Sequence, residues 1–91
     1  MFEKSSKKGQ IRFSIKPGND IKKVCLVGDF NGWKETAMTR QKDGSFVVTV
    51  TLRNGTHEYK FLVDGQWRVD PDNNAWALNP FGTLNSVLTV S

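Results

Sequence analysis

Two tryptophans stand outside the alternating pattern that buries apolar side chains in this 91-residue sequence. Trp33 follows Asp29-Phe30-Asn31-Gly32, a run typical of a turn, and Trp67 comes just after the Asp64-Gly65 turn. An indole is a flat, weakly negative surface on which the apolar face of a ligand can stack. Each ring could equally cap the edge of a folded domain, so these residues alone leave both interpretations open.

The Asp64-Gly65 turn predicts which side chains share a surface with Trp67. Asp-Gly favours a two-residue hairpin, because both residues tolerate a positive φ. Such a hairpin pairs position 63 with 66, 62 with 67 and 60 with 69, which places Trp67 beside Lys60 and opposite the core face of Tyr59 and Phe61. A four-residue loop gives the same parity, whereas a three-residue loop reverses it.

An outward indole beside a lysine supplies the groups that a sugar ring requires. Glucose has an apolar face of C–H groups and a rim of hydroxyls. Stacking on an indole adds about 0.5–1.5 kcal/mol beyond the burial of area, on the scale of aromatic pairs. Lysine donates to hydroxyls, and asparagine both donates and accepts. The residues therefore indicate a site for a neutral carbohydrate.

Catalytic and metal-binding constellations are not evident in the sequence. His57, the only histidine, has core-facing parity and is expected at a core edge or strand end. Cys25 lacks a partner for nucleophilic chemistry and is expected to be buried. Asp70 and Asp72 are interpreted as turn formers rather than paired carboxylates. With no Cys–His metal spacing and no glycine-rich phosphate loop, we predict no enzyme activity, no metal and no cofactor.

Composition and charge limit the setting of the chain. A single cysteine cannot form an internal disulfide, which suits a reducing compartment. The start of the chain lacks an apolar signal core, and no apolar run approaches the roughly 20 residues that span a bilayer, so we expect a cytoplasmic protein without membrane contact. The net charge is +4. The basic residues of the first quarter could contact phosphates but are interpreted as a solvated tail and polar strand faces.

Short alternating segments between turn signals predict the fold class. Alternation covers residues 11–16, 46–52 and 58–63, residues 24–27 are apolar on both faces, and residues 85–90 supply a last strand. The turn signals are Pro17-Gly18-Asn19, Asn31-Gly32, Asp43-Gly44, Asn54-Gly55 and Asp64-Gly65. This spacing indicates a single all-β domain, an antiparallel sandwich, over residues 9–91. Residues 1–8 are predicted to form a loose tail and residues 70–80 a long irregular loop.

Three runs of residues resemble a known family. Residues 27–33, Val-Gly-Asp-Phe-Asn-Gly-Trp, resemble the GxFNxW signature of glycogen-binding domains. Residues 57–67 resemble their HxYKFxVDGxW segment, Asp70-Pro71 follows, and residues 82–85 resemble the closing GTxN. This pattern is similar to the glycogen-binding domain in β subunits of AMP-activated protein kinase and to family 48 carbohydrate-binding modules. The resemblance runs from about residue 10 to residue 90.

The resemblance implies an early-set immunoglobulin-like sandwich that binds α-1,4-linked glucan, such as glycogen or starch, without chemistry. It implies stacking by two tryptophans and hydrogen bonds from one lysine, one threonine and one asparagine. The implied carbohydrate-binding residues are Trp33, Lys60, Trp67, Phe81, Thr83 and Asn85. Phe81 stands where the kinase subunits carry a leucine that inserts into the curve of the glucan, so it fills that role or alters preference. Trp76 is either a third platform or a plug of the core, and we favour the plug.

Three classes of function compete at this point. The leading hypothesis is a glucan-binding module whose partner is an α-glucan. The second is a protein-interaction module that packs on a glucan-active enzyme or a kinase subunit and has a vestigial sugar site. The third is a single-strand nucleic-acid binder that uses tryptophan stacking and the basic N-terminal segment. The implied site residues are all present, which favours the first hypothesis.

Overall fold

A computed structural model describes residues 1–18 and 20–91 of the protein, and these residues form short β-strands and one 3-10 turn. Asn19, in the predicted turn at residues 17–19, lies outside the described residues. The strands are β1 Phe2–Lys4, β2 Gln10–Ile15, β3 Val24–Gly28, β4 Thr36–Ala37, β5 Thr39–Arg40, β6 Phe46–Thr51, β7 Gly55–Val63, β8 Gln66–Arg68, β9 Trp76–Leu78 and β10 Leu84–Val90. The 3-10 turn, Asp29–Asn31, follows β3 directly.

The strands form two antiparallel sheets that enclose one core. The first sheet has the order β1-β2-β6-β5. The second has the order β4-β3-β7-β10-β9, and β8 pairs with the end of β7 that β10 leaves free. Buried side chains of both sheets meet between them, and the rings of Phe13 and Tyr59 lie edge to face at 4.9 Å. The predicted all-β antiparallel sandwich is confirmed.

Alternation along the strands accounts for the core. In β2, Ile11, Phe13 and Ile15 are buried, whereas Arg12 is exposed. In β7 the buried positions are Tyr59, Phe61 and Val63. Residues 24–27, predicted to be apolar on both faces, are all buried and lie between β4 and β7. The sequence pattern therefore predicts the core-facing side of each of these strands correctly.

The hairpin between β7 and β8 has the predicted register. Val63 pairs with Gln66 and Leu62 with Trp67. Asp64 and Gly65 have φ angles of 47° and 84°, the positive values that a two-residue hairpin of this kind demands. The backbone N–H groups of Lys22 and Lys23 donate to the Asp64 carboxylate, and these bonds lower its pKa. The turn is thus tied to the segment before β3.

The start of the chain differs from the predicted loose tail at residues 1–8. Phe2–Lys4 forms β1, which pairs with β2 and places Phe2 opposite Phe13. The Phe2 ring packs edge to face on Tyr59, with ring centroids 6.4 Å apart. A single aromatic residue in a polar segment gives no alternating hydrophobic pattern, so the sequence does not predict this strand. Its contact with the core is visible only in the structure.

The segment after β8 also differs from the predicted irregular loop at residues 70–80, because it contains β9. Before that strand, Asp70 is almost fully buried. Its carboxylate accepts hydrogen bonds from the Tyr59 hydroxyl at 2.7 Å and from the Asp72 backbone N–H at 3.0 Å. The turn-forming role predicted for Asp70 is confirmed, and burial raises the pKa of the Tyr59 phenol.

Cys25 and His57, for which the sequence predicts structural and not catalytic roles, occupy the predicted positions. Cys25 is buried in β3, and desolvation by burial raises the pKa of its thiol. His57 lies at the edge of the core in β7, with 16% of its side chain exposed. Its ring nitrogens contact the Arg53 carbonyl at 2.8 Å and the Asp29 carboxylate at 3.3 Å. Both side chains are therefore placed by packing and hydrogen bonding within the sandwich.

Truncations on the opposite faces of β7 and β8 should lower the stability by very different amounts. Phe61 is fully buried, so Phe61→Ala should lower the free energy of unfolding by about 3–5 kcal/mol. Trp67 is 56% exposed, so Trp67→Ala should lower it by less than about 1 kcal/mol. Urea unfolding of both variants measures the difference. Equal losses would mean that Trp67 belongs to the core.

Candidate functional site

A groove of about 690 Å³ lies on the outer side of the second sheet. The end of the 3-10 turn, β7, β8 and the loop between β9 and β10 border it. Its lining residues are Asp29, Trp33, Glu58, Lys60, Trp67, Asn79, Pro80, Phe81, Thr83 and Asn85. The structure thus brings together all six residues for which the sequence implies carbohydrate binding, although they come from four separate segments of the chain.

Trp33 is presented by a loop with many local hydrogen bonds. The Asn31 side chain accepts from the Gly28 N–H at 3.0 Å and donates to the Thr36 hydroxyl at 2.9 Å. Trp33 itself has a φ of 61°, a strained value for a bulky residue, and its N–H donates to the Gly28 carbonyl at 2.9 Å. A Cβ at Gly28 would lie 2.9 Å from the Glu58 carbonyl oxygen. Only glycine therefore allows this loop to lie so close to β7.

Trp67 and Lys60 lie on the outer face of the second sheet, as their parity predicts. The Trp67 side chain is exposed, and it shares this face with Leu62, its partner across the hairpin. The Lys60 ammonium donates to the Thr83 hydroxyl at 3.0 Å. This bond links the middle of β7 to the loop between β9 and β10.

Asn79, which the sequence analysis missed, organises that loop. Its side-chain oxygen accepts from the N–H groups of Phe81 at 3.0 Å and Thr83 at 3.1 Å. Its amide donates to the Thr83 hydroxyl at 2.7 Å and to the Asn85 side-chain oxygen at 3.0 Å. The Phe81 ring is thereby held in solvent, 91% exposed, at the mouth of the groove. The Asn79-Pro80 dipeptide, a common start of turns, was the available signal.

Two carboxylates in the groove were also missed. Asp29 accepts from the Glu58 backbone N–H at 3.0 Å, in addition to its contact with His57. The Glu58 carboxylate accepts from the Asn85 amide at 3.0 Å. The alternation of β7 could have predicted the position of Glu58. Because it neighbours the core residue Tyr59, it shares the outer face with Lys60. The groove consequently contains two anionic groups and one cationic group.

Trp76 does not belong to this groove. It lies in β9, where it pairs with Ser86, and it is 51% exposed. Ser86 faces the core, so Trp76 projects from the same side of the sheet, beyond the cover of the first sheet. The plug that we favoured is therefore wrong, because edge strand β9 lies outside the packed layer. Leu78 and Leu84 pair with each other on this side and are also exposed.

The described residues contain neither a membrane-spanning helix nor a cluster of metal ligands. Over residues 1–18 and 20–91, no helix is long and apolar enough to cross a membrane. Within the same ranges, no group of three or more His, Cys, Asp or Glu side chains is arranged to hold a metal ion.

The family to which the sandwich belongs is one of carbohydrate-binding modules. The family profile described as "Glycogen recognition site of AMP-activated protein kinase" matches residues 11–91. This match covers nearly the whole chain, and the chain belongs to that family.

Relatives of known name extend the comparison. The 5'-AMP-activated protein kinase subunit beta-1 of Sus scrofa is 42% identical over 69 residues, 76% of this chain and 55% of that protein. The Homo sapiens protein of that name is 41% identical over 69 residues, which are 25% of its length. Protein PTST homolog 2, chloroplastic, of Arabidopsis thaliana is 43% identical over 54 residues, 58% of this chain and 10% of that protein. The chain thus spans about half of the porcine relative and a quarter of the human one.

Solved structures of two other proteins share the fold. A maltogenic amylase from S. marinus superposes with a TM-score of 0.72 at 20% identity, over 90% of this chain and 13% of that one. A putative alpha amylase from Salmonella typhimurium gives 0.73 at 23% identity, over 94% of this chain and 14% of that one. At these identities the likeness concerns the sandwich alone.

The hydrogen bonds of Asn79 predict a local effect on the loop. Asn79→Ala removes the acceptor of the Phe81 and Thr83 N–H groups, so amide hydrogen exchange at these two residues should become faster. The Gly82 N–H donates to the backbone carbonyl of residue 79 and should keep its protection. Exchange measured by NMR tests this, and unchanged rates at both residues would contradict the organising role of Asn79.

Proposed function

We propose that the module binds α-1,4-linked glucan, of the glycogen or starch type, by stacking glucose rings on the aromatic residues of the groove. The convergence of exposed aromatic side chains on one groove is the observation that carries the proposal. Trp33 is 44% exposed, Trp67 56% and Phe81 91%, although burial would favour each of these rings. Exposed apolar surface of this extent marks a binding site.

Hydrogen-bonding groups beside the rings complete the proposed sugar site. Lys60 and Thr83 are joined to each other, and both retain hydrogen-bonding capacity for a sugar. Asn85 lies deeper, 4% exposed, between Asn79 and Glu58. We assign hydroxyl binding to these three residues and ring stacking to Trp33, Trp67 and Phe81.

The proposed function is binding without chemistry. Glycoside hydrolysis requires a pair of carboxylates free to act as acid and base or nucleophile. One Asp29 oxygen accepts from the Glu58 N–H and the other contacts the His57 ring, and one Glu58 oxygen accepts from Asn85. Asp29 is thus held by contacts to β7 and Glu58 by one oxygen only, so the groove lacks a pair of free carboxylates, which supports a non-catalytic module. We also propose a cytoplasmic location, since the buried thiol of Cys25 suits a reducing compartment.

A protein-interaction role is the second candidate, and a specific surface favours it. Trp76 and Leu78 form an exposed apolar surface on edge strand β9, outside the groove. The named relatives include subunits of a protein kinase. A kinase subunit or a glucan-active enzyme is therefore the proposed partner of this surface, and glucan binding would remain available while the surface is covered.

The two groups of aromatic residues predict different effects on glucan affinity. Trp33→Ala and Trp67→Ala should each weaken binding to maltoheptaose by about 1–3 kcal/mol, by analogy with the stacking of bases on aromatic residues. Both variants should remain folded, because the two rings are exposed. Calorimetric titration beside thermal unfolding separates affinity from stability.

Trp76→Ala is the matched control, since it removes a similarly exposed indole outside the groove. Its affinity for maltoheptaose should equal that of the parent chain. The stacking proposal fails if Trp33→Ala and Trp67→Ala fold and bind normally, or if Trp76→Ala weakens binding as much as they do.

Salt dependence distinguishes the glucan proposal from nucleic-acid binding. A neutral glucan releases no counterions, so its affinity should change by less than about two-fold between 50 and 200 mM NaCl. Asp29 and Glu58 in the groove also oppose a phosphate backbone. A log-linear fall in affinity with salt, together with tighter binding of single-stranded oligonucleotides, would replace the glucan proposal.

A further inference from the structure

We propose that Glu58 is a direct sugar-binding residue, whose carboxylate accepts a hydrogen bond from a glucose hydroxyl and makes recognition depend on that hydroxyl. The inference rests on the proposed function and deepens it. It concerns the first variable position of the HxYKFxVDGxW segment, which the motif leaves open, and assigns an acceptor to a site so far described by stacking rings and donors.

The position of Glu58 in β7 directs its carboxylate to the groove. Tyr59 faces the core with no exposed surface, so Glu58 and Lys60 on either side of it face outward. Both line the groove. Residues two apart in a strand lie about 6.6–6.8 Å apart along it, so a carboxylate and an ammonium stand side by side along the path of one bound chain.

Most of the other acceptors in the groove are already occupied. The Asn79 side-chain oxygen accepts two backbone hydrogen bonds, which fill its capacity. Asp29 uses one oxygen for the Glu58 N–H and contacts His57 with the other. The Thr83 hydroxyl oxygen accepts from both Lys60 and Asn79, so its remaining capacity is to donate.

Glu58 has an oxygen to spare. Its Oε1 accepts from the Asn85 amide at 3.0 Å, and its Oε2 has no hydrogen-bond partner among residues 1–18 and 20–91. The Asn85 amide is itself oriented by Asn79 at its other end. The Glu58 carboxylate is therefore held by one oxygen while the other remains available to a ligand.

The chemistry of such an oxygen defines what it recognises. An ionised carboxylate only accepts hydrogen bonds, and its bonds are about twice as strong as neutral ones. It selects a ligand that donates, such as a sugar hydroxyl, and disfavours a sugar whose hydroxyl is phosphorylated, because two anions would meet. Lys60 supplies the complementary donor. The pair thus fits an uncharged polyol chain.

The experiment compares binding of maltoheptaose to Glu58→Gln, Glu58→Ala and the parent chain by titration calorimetry. Glu58→Gln keeps the shape and an acceptor for Asn85 but loses the charge, so its affinity should fall about five-fold. Glu58→Ala should fall about ten- to hundred-fold. Glu3→Gln, which neutralises an exposed carboxylate in β1, is the control and should bind normally.

Deoxygenated ligands separate direct contact from a structural role. Maltoheptaose derivatives that lack the 2-, 3- or 6-hydroxyl are titrated against the parent chain and Glu58→Ala. If Glu58 contacts a hydroxyl, the derivative that lacks this hydroxyl should bind the parent chain more weakly than maltoheptaose does. The same derivative and maltoheptaose should bind Glu58→Ala with equal affinity. If each derivative weakens the two proteins by equal factors, Glu58 acts only through Asn85 and the inference is wrong.

The two proposals fail in different ways. If the parent chain binds no maltoheptaose, the glucan function fails and the role of Glu58 fails with it. If the parent chain binds while both Glu58 variants bind equally well, with unchanged thermal midpoints, only the role of Glu58 is overturned. If Glu58→Ala proves unstable, Glu58→Gln still decides, because it preserves the contact with Asn85.

Discussion

The pleat of β7 is the constraint on which the rest of the structure depends. Successive side chains of a strand point to opposite faces, so a single nine-residue strand fills the core and builds the groove. Tyr59 and Phe61 enter the core, and Glu58 and Lys60 enter the groove. A shift of the register by one residue would exchange these roles completely. Packing of the core therefore fixes the position of the groove's charged groups.

The polar side chains of the groove are hydrogen-bonded to one another. A chain of side-chain hydrogen bonds runs from Lys60 through Thr83, Asn79 and Asn85 to Glu58, so that it starts and ends on the same strand. This closed circuit attaches the loop between β9 and β10 to β7. Side chains that are already ordered lose less conformational entropy on binding. This ordering of the groove side chains therefore supports the proposed glucan binding, separately from the contacts themselves.

Local chemistry explains which features could be predicted from the sequence. The hairpin at Asp64-Gly65 depends on two residues that tolerate positive φ, so its register and the outward face of Trp67 follow from neighbouring residues alone. Thr83 and Asn85 are predicted as site residues only from the family motifs, because strand alternation does not place them near Trp67. The strand at Phe2 and the exposure of Trp76 depend instead on contacts between distant segments. The neighbouring residues in the sequence do not predict those contacts.

The placement of the three tryptophans has a spectroscopic consequence. All three are between 44% and 56% exposed in the folded chain, so their indoles already experience water before unfolding. We therefore expect the emission of the folded protein to resemble that of the unfolded chain, so that intrinsic fluorescence reports stability only weakly. Two of the three indoles lie in the groove, where a stacked sugar would displace water. If the groove binds glucan as proposed, we expect the same emission to report its occupancy without an added label.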